Sequence, residues 1–336
     1  MVLRQFLYLA GKTRFEHATS GFGDRCSTIE PLPCDNMHKF IGVFATCQVE
    51  CYYELVFYIN INSSEEVIYM KLAVIGTGNM GKALINGFIA GNVLKPEEIT
   101  VFDLNTSACN ALKDSLGVNV APNGNEAVKD SDYVLMAVKP QHFDAALDGI
   151  KDSFADKTIV LSIAAAVTTT RIAGIIGNTR KFVRIMPNTP AQVGAGVSAV
   201  CPVGLNDEET EFVKKLLGTC GEVILCDEKT LDSIGCVSGT GPAYVMLFIE
   251  AMADAAVALG IKRDDALKIA AATVMGSGKL CLETNTHPAV LKDQVCSPGG
   301  TTIAGVMALE ENGLRNAVIK SVIAASDKTK EMATGK

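Results

Sequence analysis

The stretch KLAVIGTGNMGKALINGFIAG, residues 71–91, constrains the fold of this chain more than any other. It begins as a short, wholly apolar run, which is typical of a parallel strand buried on both faces. It ends with apolar residues at helical spacing and a closing glycine. Between these parts lie Gly76, Gly78 and Gly81 in the spacing GxGxxG. Strand, glycine turn and helix in this order predict the first unit of a dinucleotide-binding fold.

The three glycines have separate tasks in such a turn. Gly76 permits the tight turn, Gly78 lets the backbone approach a pyrophosphate, and Gly81 lets helix and strand pack closely. The N-terminus of the helix attracts the phosphates through its unpaired N–H groups and its dipole. An ordinary turn is the alternative for this spacing alone, but the flanking strand and helix favour the dinucleotide interpretation.

Asp103 ends the next predicted strand, 22 residues after Gly81. A carboxylate there can accept a hydrogen bond from the ribose 2′-hydroxyl of NAD and would repel the 2′-phosphate of NADP. No Arg or Lys follows in DLNTSACN, residues 103–110, to attract that phosphate. Asp103 therefore favours NADH, and a solvated turn aspartate is the alternative.

Further apolar runs alternate with helical segments up to about residue 228. They read EITVFDLN, DYVLMAVKP, TIVLSIAA and KFVRIMPN. The alternation predicts an α/β fold with a Rossmann-type, doubly wound parallel sheet. Ligands of such sheets bind outside the carboxyl ends of the strands, so AVKP (137–140), SIAAAV (162–167) and MPNTP (186–190) are expected at the crevice. Lys139 resembles a catalytic group there, but backbone placement beside Pro140, with the ammonium near phosphate or solvent, is the favoured interpretation.

Beyond residue 228 the pattern becomes helical, with long runs at 242–260, 263–284 and 313–332. The first is apolar on most faces, and such a helix needs cover on all sides. A homodimer built on these helices is the simplest source of cover. We therefore expect a dinucleotide-binding domain at 70–228 and a helical dimerisation and substrate domain at 229–336.

Residues 1–69 differ from the rest, since they hold 11 of the 20 aromatic residues but 4 of the 30 glycines. We interpret them as an extension, either disordered or produced by a mis-assigned start codon, ahead of a domain that opens at Met70. The basic first fifteen residues weakly resemble a transit peptide, but they lack serine and Glu16 follows at once. A cytoplasmic location is therefore expected.

Composition excludes several classes of partner. With a net charge of −7, the surface does not favour nucleic acid or an anionic membrane. The eleven cysteines lack zinc-site spacing, which predicts no metal site and a reducing compartment.

Five blocks together resemble pyrroline-5-carboxylate reductase, an enzyme that makes proline by reducing a cyclic imine. They are VIGTGNMGKAL, AVKPQ, RIMPNTPAQVGAG, SGTGPAYV and HPAVLKDQVCSPGGTTIAGVMALEENGLRNAV. The resemblance runs from Met70 to about Met332. It implies NADH or NADPH as hydride donor, a small cyclic imino acid as substrate, and a helical dimerisation domain, often assembled further into a ring of dimers.

The resemblance also implies the site residues. By motif match, the pyrophosphate turn comprises Ile75, Gly76, Gly78, Asn79, Met80 and Gly81. The adenosine-side strand end comprises Ala137, Val138, Lys139 and Pro140, and the nicotinamide side comprises Ile163, Ala164 and Ala165. The substrate would be bound by Ser297, Gly300, Thr301 and Thr302. Gly124 stands where many members have an asparagine beside the ribose, and Asn123 or Asn125 is a candidate substitute.

The SPGGTT loop, residues 297–302, has no titratable side chain, yet it suits this substrate. A protonated imine is already electrophilic, so holding the ring against the nicotinamide is the main requirement. Free N–H groups at a helix start can hold the substrate carboxylate. Thr302 is the best catalytic candidate, because its hydroxyl can donate to, or accept from, the ring nitrogen. A capped interhelical connection is the alternative.

Two other functions are compatible with parts of the pattern. A β-hydroxyacid dehydrogenase or imine reductase of similar architecture would use a helical lysine as acid and base, and Lys279 with Asn285 is a faint match. A non-catalytic dinucleotide-sensing protein would bind NAD(H) without turnover.

Overall fold

An eight-stranded sheet forms the centre of the computed structural model, which describes residues 70–333, with side chains up to Glu331. The predicted extension, 1–69, lies outside these residues. The strands are β1 (Leu72–Ile75), β2 (Ile99–Phe102), β3 (Asn119–Val120), β4 (Tyr133–Met136), β5 (Ile159–Ser162), β6 (Phe182–Met186), β7 (Gly196–Val203) and β8 (Gly221–Leu225). They lie in the sheet in the order β3-β2-β1-β4-β5-β6-β7-β8.

The first six strands are parallel, which confirms the predicted Rossmann-type sheet. The sheet extends beyond the predicted strands at one edge, where β7 runs antiparallel to β6 and β8 is parallel to β7. The connection from β6 to β7, 187–195, is a short turn with one 3-10 segment, Thr189–Val193. A parallel return needs a crossover of a dozen or more residues, so this connection can join only antiparallel neighbours.

Helices cover both faces of the sheet and explain why a strand such as β1 is wholly apolar. They are α1 (Asn79–Ala90), α2 (Thr106–Leu116), α3 (Gly124–Val128), α4 (Phe143–Asp148), α5 (Thr169–Ile176) and α6 (Asp207–Gly218). Along β1, Leu72 and Val74 enter one apolar core, and Ala73 and Ile75 enter the core on the opposite face. Successive side chains of a strand point to opposite faces of the sheet, and here both faces are buried, so β1 has no position that favours a polar residue.

Six helices follow β8: α7 (Glu228–Ser238), α8 (Gly241–Ala258), α9 (Arg263–Thr284), α10 (Pro288–Val295), α11 (Thr301–Glu311) and α12 (Leu314–Ala333). Pro242 lies in the first turn of α8, and Gly260 follows that helix with a φ of +93°. Only a small alanine cluster, Ala253, Ala266 and Ala270, is buried between α8 and α9. Large apolar side chains such as Leu247 and Met275 are about two-thirds exposed, at 67% and 70%.

Helix α7 is fixed at its start to strand β6 and at its end to the segment that follows β6. Arg184, with a side chain 2% exposed, donates to Glu228 at 2.9 Å and to Asp232 at 2.7 Å. Two strand positions along, Met186 lies against Gly235. At the far end, Asn188 Nδ2 donates to the Ser238 carbonyl at 2.9 Å. Polar groups of β6 and of the segment that follows it therefore join the sheet to the first C-terminal helix.

The Arg184–Glu228 ion pair makes stability depend on pH. Burial acts to raise the pKa of Glu228, but hydrogen bonds from Thr169 and the charge of Arg184 outweigh it and hold the pKa below its usual value. This stabilisation is complete above the pKa of an unfolded glutamate, about 4.3, and is lost as the pH falls through the lower folded value.

We therefore expect Glu228→Gln to lower the melting temperature at pH 7. The difference in melting temperature between the variant and the wild type should shrink as the pH falls below about 4. Thermal melts of both proteins from pH 7 to pH 3.5 check this. The other carboxylates are common to both proteins, so their titration cancels in the difference, except for that of Asp232, which shares Arg184 with Glu228. A gap that stays constant with pH would contradict the role of the charge.

Candidate active site

The predicted cofactor segments meet at one edge of the sheet, where β1, β4 and β5 end. Ile75 is paired with Met136, and Met136 with Ser162, so the residues that follow them leave the sheet side by side. The Ala137 N–H donates to the Ile75 carbonyl at 2.8 Å, and the Ile163 N–H donates to the Met136 carbonyl at 3.3 Å. The carboxyl ends of three parallel strands thus form one crevice, as the topology requires.

The glycines of the turn differ in what surrounds them. Gly76 has a φ of +102°, and a Cβ there would lie 2.7 Å from the Ala137 carbonyl oxygen. A Cβ on Gly81 would lie 2.6 Å from the Gly76 oxygen. Gly78, in contrast, has ordinary extended dihedrals, and a Cβ on it would meet no atom within 4 Å. Two glycines are therefore required by the fold itself, whereas Gly78 faces open space.

Helix α1 begins directly after Gly78, and no side chain caps its first turn. Asn79 is exposed and Met80 is half-buried against the core. Uncapped N–H groups at a helix start are suited to bind an anion.

Asp103 is tied to the glycine turn, which the sequence did not predict. Its Oδ2 accepts hydrogen bonds from the Thr77 N–H at 2.6 Å and from the Thr77 hydroxyl at 3.1 Å. Its Oδ1 accepts from the Asn105 N–H at 2.9 Å. Burial acts to raise the pKa of Asp103, but the N–H donors of Asn105 and Thr77 outweigh it and lower the pKa overall. The carboxylate is therefore ionised and helps to shape the turn.

The other two strand ends differ in character. Ala137 and Val138 are half-buried, and Lys139 is exposed just ahead of the 3-10 segment Pro140–His142. After β5, Ile163 is half-buried, Ala164 is buried and Ala165 is exposed. Ala166 follows with a φ of +59°, an uncommon conformation for a residue other than glycine.

The asparagines beside Gly124 are both engaged. Asn123 Oδ1 accepts from the Glu126 N–H at 2.9 Å and caps α3, while Asn125 Oδ1 accepts from the Ser153 hydroxyl at 2.8 Å. A Cβ on Gly124 would lie 2.8 Å from the Ile150 side chain, so this position favours glycine. That Asn123 or Asn125 makes the ribose contact, in place of the asparagine that many family members have at position 124, stays a prediction.

The SPGGTT loop connects α10 to α11 and turns at Gly299, which has a φ of +67°. The Gly300 N–H donates to the Ser297 carbonyl at 3.0 Å. Gly300 is the N-cap of α11, and no side chain caps the helix, so the expected alternative of a Ser or Thr cap is not what the chain forms. Ser297 and Thr301 are exposed, and Thr302 is half-buried.

The loop is not bonded to the strand ends within the single chain. Across residues 70–333 no hydrogen bond joins Ser297–Thr302 to the cofactor crevice, and the Thr302 hydroxyl has no hydrogen-bond partner. Neither α10 nor α11 has a fully buried residue. The structure therefore places the predicted cofactor residues together and leaves the substrate loop open.

Comparison with known proteins gives a consistent result. A family model described as pyrroline-5-carboxylate reductase dimerisation matches residues 228–332, and one described as NADP oxidoreductase, coenzyme F420-dependent, matches residues 71–166. Pyrroline-5-carboxylate reductase of Escherichia coli K12 is 44% identical over 263 residues, which are 78% of this chain and 98% of that protein.

Solved structures agree with this. A pyrroline-5-carboxylate reductase from Coxiella burnetii has a TM-score of 0.74 at 32% identity, covering 78% of this chain and 98% of the other. Pyrroline carboxylate reductase from Plasmodium falciparum, with NADP bound, has a TM-score of 0.70 at 31% identity, covering 79% and 98%. Identity at this level over almost the whole length of its relatives shows that this chain belongs to the pyrroline-5-carboxylate reductase family.

Proposed function

We propose that this protein reduces 1-pyrroline-5-carboxylate to L-proline with NADH or NADPH, the last step of proline biosynthesis. Two features of this chain carry the proposal. The glycine turn has open space beside Gly78, where a pyrophosphate fits, and the start of α11, after SPGG, has no side-chain cap. When bound, the nicotinamide supplies the hydride.

The cofactor residues fit a dinucleotide. The uncapped start of α1, beside Gly78, would hold the pyrophosphate through backbone N–H groups. Asp103 would accept from the ribose, Ala137–Pro140 would line the adenosine side, and Ile163–Ala165 would leave room for the nicotinamide. These side chains are small or neutral except for Asp103 and Lys139. The crevice therefore positions the cofactor and offers no strong acid near the ring.

The substrate loop would act as an anion hole. The first N–H groups of α11 lack intrahelical partners and a side-chain cap, so they can bind the substrate carboxylate, helped by the helix dipole. Ser297, Gly300 and Thr301 surround this position. The free hydroxyl of Thr302, in the first turn, would donate to or accept from the ring nitrogen. Orientation of an already electrophilic imine is then the main source of catalysis.

A homodimer would cover the apolar helices that follow β8, and 229–336 would serve as the dimerisation and substrate domain. The helical stretch Glu228–Ala258 is long and apolar enough to cross a membrane by length and composition, and 6% of its apolar window is buried. Apolar side chains that form a dimer interface are equally exposed in the single chain. We therefore propose a soluble cytoplasmic dimer, which the family resemblance extends to a ring of dimers.

The alternatives have weaker support. Lys279 is the candidate acid and base of the alternative hydroxyacid dehydrogenase mechanism. It is exposed on α9, and its Nζ lies 3.5 Å from Oε1 of Glu283, which is also exposed. A dinucleotide sensor would not need the substrate loop.

The first test measures the oxidation of NADH and of NADPH in the presence of pyrroline-5-carboxylate. A parallel assay measures the reduction of NAD and of NADP by 3-hydroxy acids. We expect turnover in the first assay and none in the second. Cofactor binding without turnover would instead identify a sensor, and oxidation of hydroxy acids would identify a dehydrogenase.

Gly78→Ala should weaken cofactor binding tenfold or more, because the new methyl group occupies the space of the pyrophosphate, while the melting temperature changes little. Gly81→Ala is the matched variant, and it should lower the melting temperature because its Cβ meets the Gly76 carbonyl. Fluorescence titration of NADH and thermal melts separate the two effects. Equal affinity of Gly78→Ala and wild type would place the pyrophosphate elsewhere.

Thr302→Ala should lower kcat/KM at least tenfold, equivalent to about 1.4 kcal/mol of transition-state stabilisation. Thr302→Ser keeps the hydroxyl and should recover most of the activity. Steady-state kinetics with the imine check both variants. If Thr302→Ala stays within about threefold of the wild type, the hydroxyl is not needed for the chemical step.

Asp103 should make NADH the preferred donor, because its charge repels a 2′-phosphate. Asp103→Ser should then raise the ratio of kcat/KM for NADPH over NADH. The absolute rate should also fall, since Thr77 loses a charged acceptor. A wild type that prefers NADPH would show that Asp103 serves the turn alone.

A further inference from the structure

The loop that follows β5, residues 163–168, is held in an unfavourable conformation. Ala166 has a φ of +59°, which costs a residue with a Cβ of the order of 1 kcal/mol. Such a conformation persists only where the flanking structure fixes it. Ala164 and Val167, on either side, are buried in the core that covers one face of the sheet.

The far end of the loop is fixed by a residue distant in sequence. Thr169 donates twice to Glu228, from its N–H to Oε1 and from its hydroxyl to Oε2, both at 2.6 Å. Hydrogen bonds to a charged acceptor are about twice as strong as neutral ones. Glu228 begins α7, the first helix after the sheet, 59 residues further along the chain.

Glu228 is itself held from the sheet. Arg184 Nη1 donates to Glu228 Oε1 at 2.9 Å, and its Nη2 donates to Asp232 Oδ1 at 2.7 Å. Arg184 is the cross-strand neighbour of Ser162, which immediately precedes the loop. The loop is therefore bounded by β5 on one side and, through Thr169 and Glu228, by α7 on the other.

We infer that Glu228 is a positioning residue for hydride transfer, which fixes the nicotinamide side of the crevice through Thr169 and is itself oriented by Arg184. The inference rests on the proposed function, since it takes Ile163–Ala165 to contact the nicotinamide. What the inference adds is that the rate of hydride transfer depends on Glu228, the first residue of α7.

A purely structural role would also use these bonds, so the test must separate stability from chemistry. Thr169→Val removes one hydroxyl and keeps the shape and the N–H bond, which makes it less disruptive than a change at buried Arg184. Thr169→Ser restores the hydroxyl. Thr170→Val is the matched control, since Thr170 is exposed in the same turn of α5 and its hydroxyl has no hydrogen bond within the described chain.

We expect Thr169→Val and Glu228→Gln to lower kcat fivefold or more, with cofactor affinity within twofold of the wild type because the pyrophosphate turn is untouched. The deuterium isotope effect on kcat, measured with nicotinamide deuterated at both C4 positions, should rise as hydride transfer becomes slower. Thr169→Ser and Thr170→Val should both behave like the wild type.

The outcomes distinguish the inference from the function on which it rests. Absence of turnover by the wild type would overturn the proposed function. Turnover by the wild type, with Thr169→Val and Glu228→Gln showing a lower melting temperature but an unchanged kcat and isotope effect, would overturn the positioning role alone. A loss of kcat in Thr170→Val equal to that in Thr169→Val would overturn it as well.

Discussion

The structure depends on the close approach of backbone segments at the end of β1. Gly76 lies against the Ala137 carbonyl and Gly81 lies against Gly76, so strand, turn, helix and neighbouring strand end meet where no Cβ fits. Asp103 adds a charged acceptor to the same turn through Thr77. The uncapped start of α1 and the neighbouring strand ends acquire their common orientation from this contact.

A second constraint joins the sheet to the helices. Arg184 of β6 holds the start of α7 and Asn188, two residues after β6, holds its end; through Glu228, Arg184 is also linked to the loop after β5. Beyond α7 the helices bury little more than an alanine cluster, and their large apolar side chains are exposed in the single chain. The strand ends that form the crevice thus meet within one chain, while the helical part and the substrate loop have little cover from the rest of that chain.

Local patterns carried much of the prediction because they obey short-range rules. The apolar strands, the glycine turn, Pro242 and the long helix Arg263–Thr284 follow from periodicity and capping, and the structure has them where expected. The edge strands were missed: β3 has two residues, and β7 and β8 each begin at a glycine and carry a polar residue, Ser198 in β7 and Glu222 in β8. One available signal was overlooked: a charged Arg184 inside the apolar strand FVRIM must find buried partners.

The sequence by itself determined the family, the Rossmann-type fold and the segments that line the crevice, because glycine spacing, strand periodicity and the SPGGTT block are local in the chain. Tertiary structure alone decided which partners those segments have. The bonds of Asp103 to Thr77, of Thr169 to Glu228 and of Arg184 to both acids of α7 join residues 26 to 59 positions apart. Such pairs depend on how strands and helices are stacked, and no spacing rule in a single sequence specifies that arrangement.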